Sequence, residues 1–379
     1  MSRVPRIRFK GFEEDWEQRK LGEVANRFDS TRVPISENLR VSGNTPYYGA
    51  NGIQDYVDGY THDGEYVLIA EDGANDLKNY PIRLVKGRIW VNNHAHVIQG
   101  IEKSMNNQFI NFAMTQVDFE SIVVGCGRAK LNAEQLMNIC FKVPNKNEQA
   151  NIGRLFVSLN NLITLHQRKL EKLKIIKKSM LENIFPQNGE KTPKIRFSGF
   201  TEDWEQRKLG EICQITMGQS PDGSTYSQIP LDYILVQGNA DLKDGWVYPR
   251  IWTTQKTKMA EAGDLIMSVR APAGTMGKTY YDVVIGRGVA GIKGSEFIYQ
   301  ALVKMDSNGY WKVLASGSTF ESINSDVVNG AELMVTENID EQNKIGDYLA
   351  SIDYLITLHQ SKLDKLQKIK KSMLESMFV

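Results

Sequence analysis

Two blocks of this chain occur twice. The segment Arg6 to Glu23 matches Lys194 to Glu211 at 15 of 18 positions, and Glu148 to Phe185 matches Glu341 to Phe378 at 23 of 38. The stretches between the paired blocks share little. The chain therefore reads as lead, body and tail, twice over. Such a repeat constrains the fold more than any local pattern, because each copy must build the same frame. A constant frame around diverged bodies implies two similar devices that recognise different things.

A length of 379 residues accommodates two domains, each able to bury its own core. With 41% apolar and 24% charged residues the chain is not disordered. No apolar run approaches the roughly 18 residues of a membrane span. The first residues mix charges and lack an apolar export stretch, so a cytoplasmic location is expected. Cys126, Cys140 and Cys213 are odd in number and show no CxxC spacing. They read as free thiols, with neither a disulfide frame nor a zinc site expected. The net charge of +1 gives no global support for a nucleic-acid partner. The bodies are acidic: Leu21 to Lys146 carries net −2 and Leu209 to Ile339 net −4. Asn147 to Phe185, by contrast, carries net +4.

The tails have heptad spacing. One seam runs Ile152, Leu159, His166, Leu173, Met180, and its companion runs Phe156, Ile163, Leu170, Lys177, Ile184. The second copy repeats both, as Ile345, Ile352, His359, Leu366, Met373 and Leu349, Ile356, Leu363, Lys370, Met377. Two long helices that pair with each other are expected. Asn147 and Asp340 are the N-cap candidates, and Pro186 stops the first helix. At about 1.5 Å per residue, such a helix reaches roughly 57 Å. The short linker from Pro186 to Pro193 favours an antiparallel pair. His166 and His359 share one seam position and read as register-setting polar residues.

The bodies carry short β-prone runs, among them Glu65 to Ala70, Arg88 to Asn92, Asp264 to Val269 and Tyr280 to Ile285. Helices are expected near Phe109 to Thr115 and Phe297 to Met305. Each body reads as an α/β globule. Gly274 to Thr279 imitates a phosphate-binding loop, but Pro272 stands where that pattern needs glycine, and a strand-like run follows. Gly286 to Gly291 fits GxGxxG without a helix opening on it. His94 and His96 are spaced to share a strand face, yet no further ligands complete a metal set. No adjacent prolines occur, so the (N/D)PP(Y/F/W) motif of amino-methyltransferases is absent. No nucleophile, base and orienting group assemble.

The order and duplication of these blocks resemble one family, the specificity subunits of Type I restriction-modification enzymes. The resemblance rests on W-x-x-x-K-L-G-E at Trp16 to Glu23 and Trp204 to Glu211, and on Glu148-Gln149 and Glu341-Gln342 opening the tails. It extends to L-I-T-L-H-Q-x-K-L at Leu162 to Leu170 and Leu355 to Leu363, to Met217 through Pro221, and to Gly127 through Asn132. It implies an α+β chain: two tandem α/β target recognition domains separated by a pair of long antiparallel coiled-coil helices, with pseudo-two-fold symmetry. The expected segments are 1–146, 147–185, 186–339 and 340–379, alternating recognition domain and spacer helix. The implied role is non-catalytic recognition of double-stranded DNA, one half of a bipartite asymmetric site per domain. Two methyltransferase (modification) subunits and two restriction subunits are the implied partners. S-adenosylmethionine, ATP and Mg are expected on those partners, none on this chain. The contact candidates are Tyr47, Tyr48, Asn51, Asn92, Asn93, Arg128 and Lys130 in the first body. In the second they are Gln219, Ser220, Gln237, Asn239, Lys278 and Arg287. They offer amides, aromatic rings and cations suited to base edges or phosphates. The competing expectation is a coiled-coil scaffold whose bodies bind two different proteins.

Overall fold

The computed structural model describes residues 4–125, 130–187, 189–315 and 322–378. The heptad segments form two helices of 39 residues, Lys146–Ile184 and Ile339–Met377. Their caps lie two residues before the expected ones. Asn145 Oδ1 accepts the Glu148 N–H at 3.0 Å, and Asn338 Oδ1 accepts the Glu341 N–H at 3.2 Å. A cap bonds an amide in the first turn, so an asparagine placed before that turn serves, and Asn147 and Asp340 lie inside it.

Tertiary contacts divide the chain into two compact units. Unit 1 is Met1–His166 with Lys362–Val379, and unit 2 is Gln167–Ser361. Each unit thus takes a body together with part of both tail helices, which the linear segments 1–146 and 186–339 do not convey.

In unit 1 a six-stranded sheet has the order Ala25–Arg27, Ala95–Gly100, His62–Ala70, Ile82–Val91, Ser42–Gly49, Gly52–Val57. The run from Tyr66 to Ala70 is buried throughout because both sheet faces are covered. Its side chains alternate between two clusters, as a strand period of two requires. Val67 and Ile69 join the main core with Phe109, Phe112 and Phe156, while Tyr66 and Leu68 join a smaller one with Val85 and Val97. The helix Asn107–Met114 packs on the main side and is capped by Asn106, whose side chain accepts the Phe109 N–H. The start of the first tail helix lies against the end of the second, with the Phe156 and Phe378 rings 5.9 Å apart.

Unit 2 has a six-stranded sheet in the order Gln214–Met217, Val289–Lys293, Leu265–Ser268, Met276–Lys278, Trp246–Val247, Leu242–Lys243. A five-stranded sheet runs Tyr226–Ser227, Ile251–Thr253, Tyr233–Val236, Val283–Ile285, Met259–Ala260. Leu265 and Met267 face the main core, and Ile266 faces the second cluster. The helix Glu296–Ser307, capped by Ser295, covers the main side. Here the end of the first tail helix meets the start of the second, with Lys177 Nζ 2.5 Å from Asp353 Oδ1. The two tail helices are therefore antiparallel in both units.

The constant blocks are keyed to each other within each unit. In unit 1 the Arg8 guanidinium donates Nε to Glu148 Oε1 at 2.7 Å and Nη2 to Glu148 Oε2 at 2.9 Å. In unit 2 Arg196 makes the same pair to Glu341 at 2.7 and 2.9 Å. Both glutamates are 0% exposed. Gln149 accepts the Asn106 N–H and donates to the Ser104 and Pro144 carbonyls. The glutamate that opens each tail is thus the socket for its own lead, while the neighbouring glutamine bonds the body, Gln149 as above and Gln342 at the Thr336 carbonyl. The lead tryptophans anchor in the same way. Trp16 meets Phe109 and Phe378 edge-on at 5.9 and 6.3 Å. Trp204 meets Phe297 and Phe185 at 5.6 and 6.0 Å. Such aromatic contacts contribute about 0.5–1.5 kcal/mol each beyond area burial.

Candidate nucleic-acid interface

In unit 2 three backbone segments meet with no side chain between them. They are the loop after Gln214–Met217, the segment after Tyr233–Val236, and the turn joining Val283–Ile285 to Val289–Lys293. A Cβ added to Gly218 would lie 2.0 Å from the Gly286 carbonyl oxygen, and one on Gly288 2.0 Å from that of Gln237. Only glycine permits this approach. Hydrogen bonds lock it: Gly218 N–H to Val289 O at 3.0 Å, Gln219 N–H to Ile285 O at 2.8 Å, and Gly286 N–H to Val236 O at 2.7 Å. The Arg287 N–H donates to Ser220 Oγ at 3.1 Å. The GxGxxG pattern therefore serves a strand–turn–strand, as its lack of a following helix implied. The other imitation, Gly274 to Thr279, runs into the strand Met276–Lys278.

The result is a polar surface on a fixed support. Gln219 and Arg287 are exposed, and Ser220, Gln237 and Asn239 are half-buried. Asp241 beneath them is 4% exposed and accepts the Gln237 N–H at 2.8 Å. Arg250, which sequence reasoning missed, joins this cluster: its Nη1 donates to Ala240 O at 2.9 Å and its Nε lies 3.9 Å from Asp241. Nothing in its local sequence marks it, because the hairpin alone brings it there. Arginine and glutamine side chains on a rigid base offer bidentate donors and acceptors to guanine and adenine edges, and arginine also pairs with phosphate. Lys278 does not belong here. Its side chain is 15% exposed, and its ammonium pairs with Glu296 at 2.8 Å and lies over the Trp246 ring at 4.7 Å.

Unit 1 gathers Asn51, His94 and Lys130 around residues 71–75. Asn51 Nδ2 donates to Gly73 O at 2.9 Å, and its Oδ1 accepts the Asn75 N–H at 3.0 Å. His94 Nδ1 lies 2.5 Å from Asp72, and Lys130 Nζ 3.3 Å from Glu71. Asn93 is exposed beside them. Three other candidates face inward. Tyr47 is 1% exposed with its hydroxyl on the Ile35 backbone, Tyr48 is 8% exposed in the smaller core, and Asn92 is 3% exposed with its amide on Gln54. Tyr48 thus belongs to the sheet's smaller core, while Tyr47 is covered by the Ile35 segment and by the Arg40 guanidinium, 4.4 Å over its ring. Arg128 lies outside the described residues.

His94 and His96 do not share a strand face, since His94 lies in the turn that precedes the strand Ala95–Gly100 and only His96 lies on it. The His96 Nδ1 lies 2.6 Å from Asp29 Oδ2 and its Nε2 2.9 Å from Leu131 O. Burial alone would raise the Asp29 pKa, but hydrogen bonds from His96 and the Val97 N–H hold it below the usual carboxylate value. Asp29, Glu71 and His96 place ligand-type atoms within 4.8 Å of one another. Their charge is met by Arg32, 2.7 Å from Glu71 and 3.6 Å from Asp29, and by Lys130. The cluster ties the segment at Leu131 to the sheet.

Comparison with known proteins agrees with this organisation. The model of the Type I restriction modification DNA specificity domain matches twice, over residues 13–175 and 201–368. A putative type I restriction enzyme specificity subunit of Haemophilus influenzae is 46% identical over 153 residues, 40% of this chain and 39% of that protein. The putative MjaX specificity subunit of Methanocaldococcus jannaschii is 27% identical over 260 residues, 65% of this chain and 60% of that protein. These matches span less than two thirds of either relative. The crystal structure of an S subunit from M. genitalium superposes with a TM-score of 0.74 at 13% identity, covering 99% of both chains. A chain from a study of complex assembly in the type I R-M system gives 0.51 at 21% identity, covering 96% of this chain and 97% of that one. At such identities the likeness is one of fold. With a domain matched in each repeat, the chain belongs to the family of the Type I restriction modification DNA specificity domain and carries two copies of it.

Proposed function

We propose that this chain is the DNA-reading subunit of a Type I restriction-modification complex, with each unit reading one half of a bipartite, asymmetric site. The observation that carries this reading is the surface of unit 2, where exposed Arg287 and Gln219 stand beside Gln237 on a glycine-locked base. Unit 1 presents a different surface on the same frame, which suits two different half-sites. The tail helices, each shared by both units, are the elements suited to set the unread gap. The chain directs chemistry done elsewhere: two methyltransferase subunits supply S-adenosylmethionine-dependent adenine methylation, and two restriction subunits act with ATP and Mg. The acidic bodies fit a division of labour in which partners supply much of the phosphate-binding charge. None of the helices in the described residues is long and apolar enough to cross a membrane, in keeping with a complex that acts on DNA in the cytoplasm.

Exchange of Val24 to Lys146 for the equivalent body of another such protein tests the reading. Methylation mapping in cells with the partner subunits is expected to show one half-site changed and the other intact. Change of both half-sites, or of neither, would sink the model of one reader per unit.

A further inference from the structure

The two units differ in charge where body helix meets tail helices. In unit 2 Lys177 is paired with Asp353, and Gln300 Nε2 donates to Asp353 at 2.8 Å and to Glu296 at 2.9 Å. The repeat, in which Glu148 aligns with Glu341, makes Lys370 the counterpart of Lys177 and Asn160 that of Asp353. Unit 1 therefore keeps the amine and loses the carboxylate. Phe112 replaces Gln300, as the matching contacts of Phe109 and Phe297 with the lead tryptophans establish. Asn160, Phe112 and Lys370 line a cleft of about 580 Å³ together with Lys78, Lys371 and Glu375. Three cations thus face one acid. Lys370 is half-buried, and among the described residues no hydrogen bond or ion pair holds its amine. Burial pushes its pKa down. An ammonium withdrawn from water without a counter-ion is unfavourable and gains from any carboxylate brought to it.

We propose that this cleft in unit 1 docks an acidic segment of a protein partner, whose carboxylate takes the place on Lys370 that Asp353 holds on Lys177. The sister unit shows that this frame accepts a carboxylate on that amine. The cleft has the size of a site for one or two side chains, within the roughly 300–1,000 Å³ range of binding pockets. Its apolar lining, with Phe112 and Leu374, suits the residues beside an acid better than it suits a free ion. The inference does not depend on the units reading DNA.

The full chain, carrying ¹³C-dimethylated lysines, provides the test by NMR. Octaglutamate peptide, octalysine peptide and inorganic phosphate are titrated at constant ionic strength, with Lys177 as internal reference. Octaglutamate is expected to shift the Lys370 resonance saturably and leave Lys177 in place. Asn160→Asp, which installs the internal carboxylate, is expected to weaken that response roughly tenfold, the scale of a charge-assisted contact. Asn160→Gln keeps a neutral amide and is expected to retain it, which separates loss of the site from loss of the fold. The proposal is overturned if octaglutamate leaves Lys370 unmoved, if Asn160→Asp responds like the parent chain, or if phosphate reproduces the saturable shift.

Discussion

Between the two units the lead–tail contacts are kept, whereas the body–tail contacts have diverged. Where lead meets tail, the units agree in geometry: Arg8 with Glu148 and Arg196 with Glu341 both sit at 2.7 and 2.9 Å. Where body meets tail, a charged ladder in unit 2 from Lys278 through Glu296, Gln300 and Asp353 to Lys177 gives way in unit 1 to Phe112, Asn160 and a lone Lys370. The difference shows what holds a repeat constant. A buried bidentate pair cannot lose one member without stranding the other, so lead and tail change together or not at all. A contact between a recognition body and a helix can trade charge for apolar surface one residue at a time, because a solvent-lined cleft tolerates the intermediate states.

The largest expected effect tests the shared half of that comparison. Arg8→Ala leaves Glu148 buried and unpaired, and Arg196→Ala does the same to Glu341. Each is expected to cost about 3–5 kcal/mol. Hydrogen exchange read by peptide locates the loss, since local opening reports the stability of each region. Losses that are equal in size and centred on the respective units support the keyed frame. A neutral outcome for either arginine breaks the equivalence of the units.

A smaller effect tests the half that differs. Lys177→Met removes the cation from Asp353 and is expected to destabilise unit 2 by about 1.5–3 kcal/mol, the range for a charged hydrogen bond. Lys370→Met removes an amine with no partner and is expected to leave unit 1 unchanged or more stable, because an apolar side chain then fills a partly apolar cleft. Thermal melts of the two variants, with unit-resolved exchange, decide it. Equal destabilisation by both would mean that Lys370 has a counter-ion in solution after all.

The frame was legible in the sequence because its signals are periodic or duplicated. The seams of the tails, the lead tryptophans and the runs of buried strand all follow from spacing of two or three-and-a-half residues, which short-range sterics impose. What closes each core was not legible. Phe378 packs on Trp16 and Phe185 on Trp204, so the end of each tail completes the unit built on the other repeat. No local pattern encodes either closing contact. The make-up of the candidate surface was half legible for a related reason. Gln219 and Arg287 sit in glycine-rich turns, where close backbone approach leaves an imprint in composition. Tyr47, Tyr48 and Asn92 sit beside turns as well, but all three are buried, and that burial is set by tertiary packing that the local run does not encode. Arg250 reached the surface cluster through a hairpin that the sequence does not announce.

The smallest expected effect concerns pH and separates the units again. Asp29 in unit 1 is held ionised by His96 and the Val97 N–H against the opposing effect of burial, so its folded pKa lies below the ordinary 3.8. A depressed carboxylate contributes stability that is complete above its unfolded pKa and is lost as pH falls through the folded value. Asp29→Asn is therefore expected to destabilise unit 1 at neutral pH, with a penalty that shrinks as pH drops below about 3.8. Peptides of unit 2 are expected to show no such pH-dependent difference between parent and variant, as their sheet contains no buried Asp–His pair among the described residues. A penalty in unit 1 that stays constant from pH 7 to acid would place the Asp29 contribution in packing and not in its charge, and would remove a titratable tie by which this body differs from its sister.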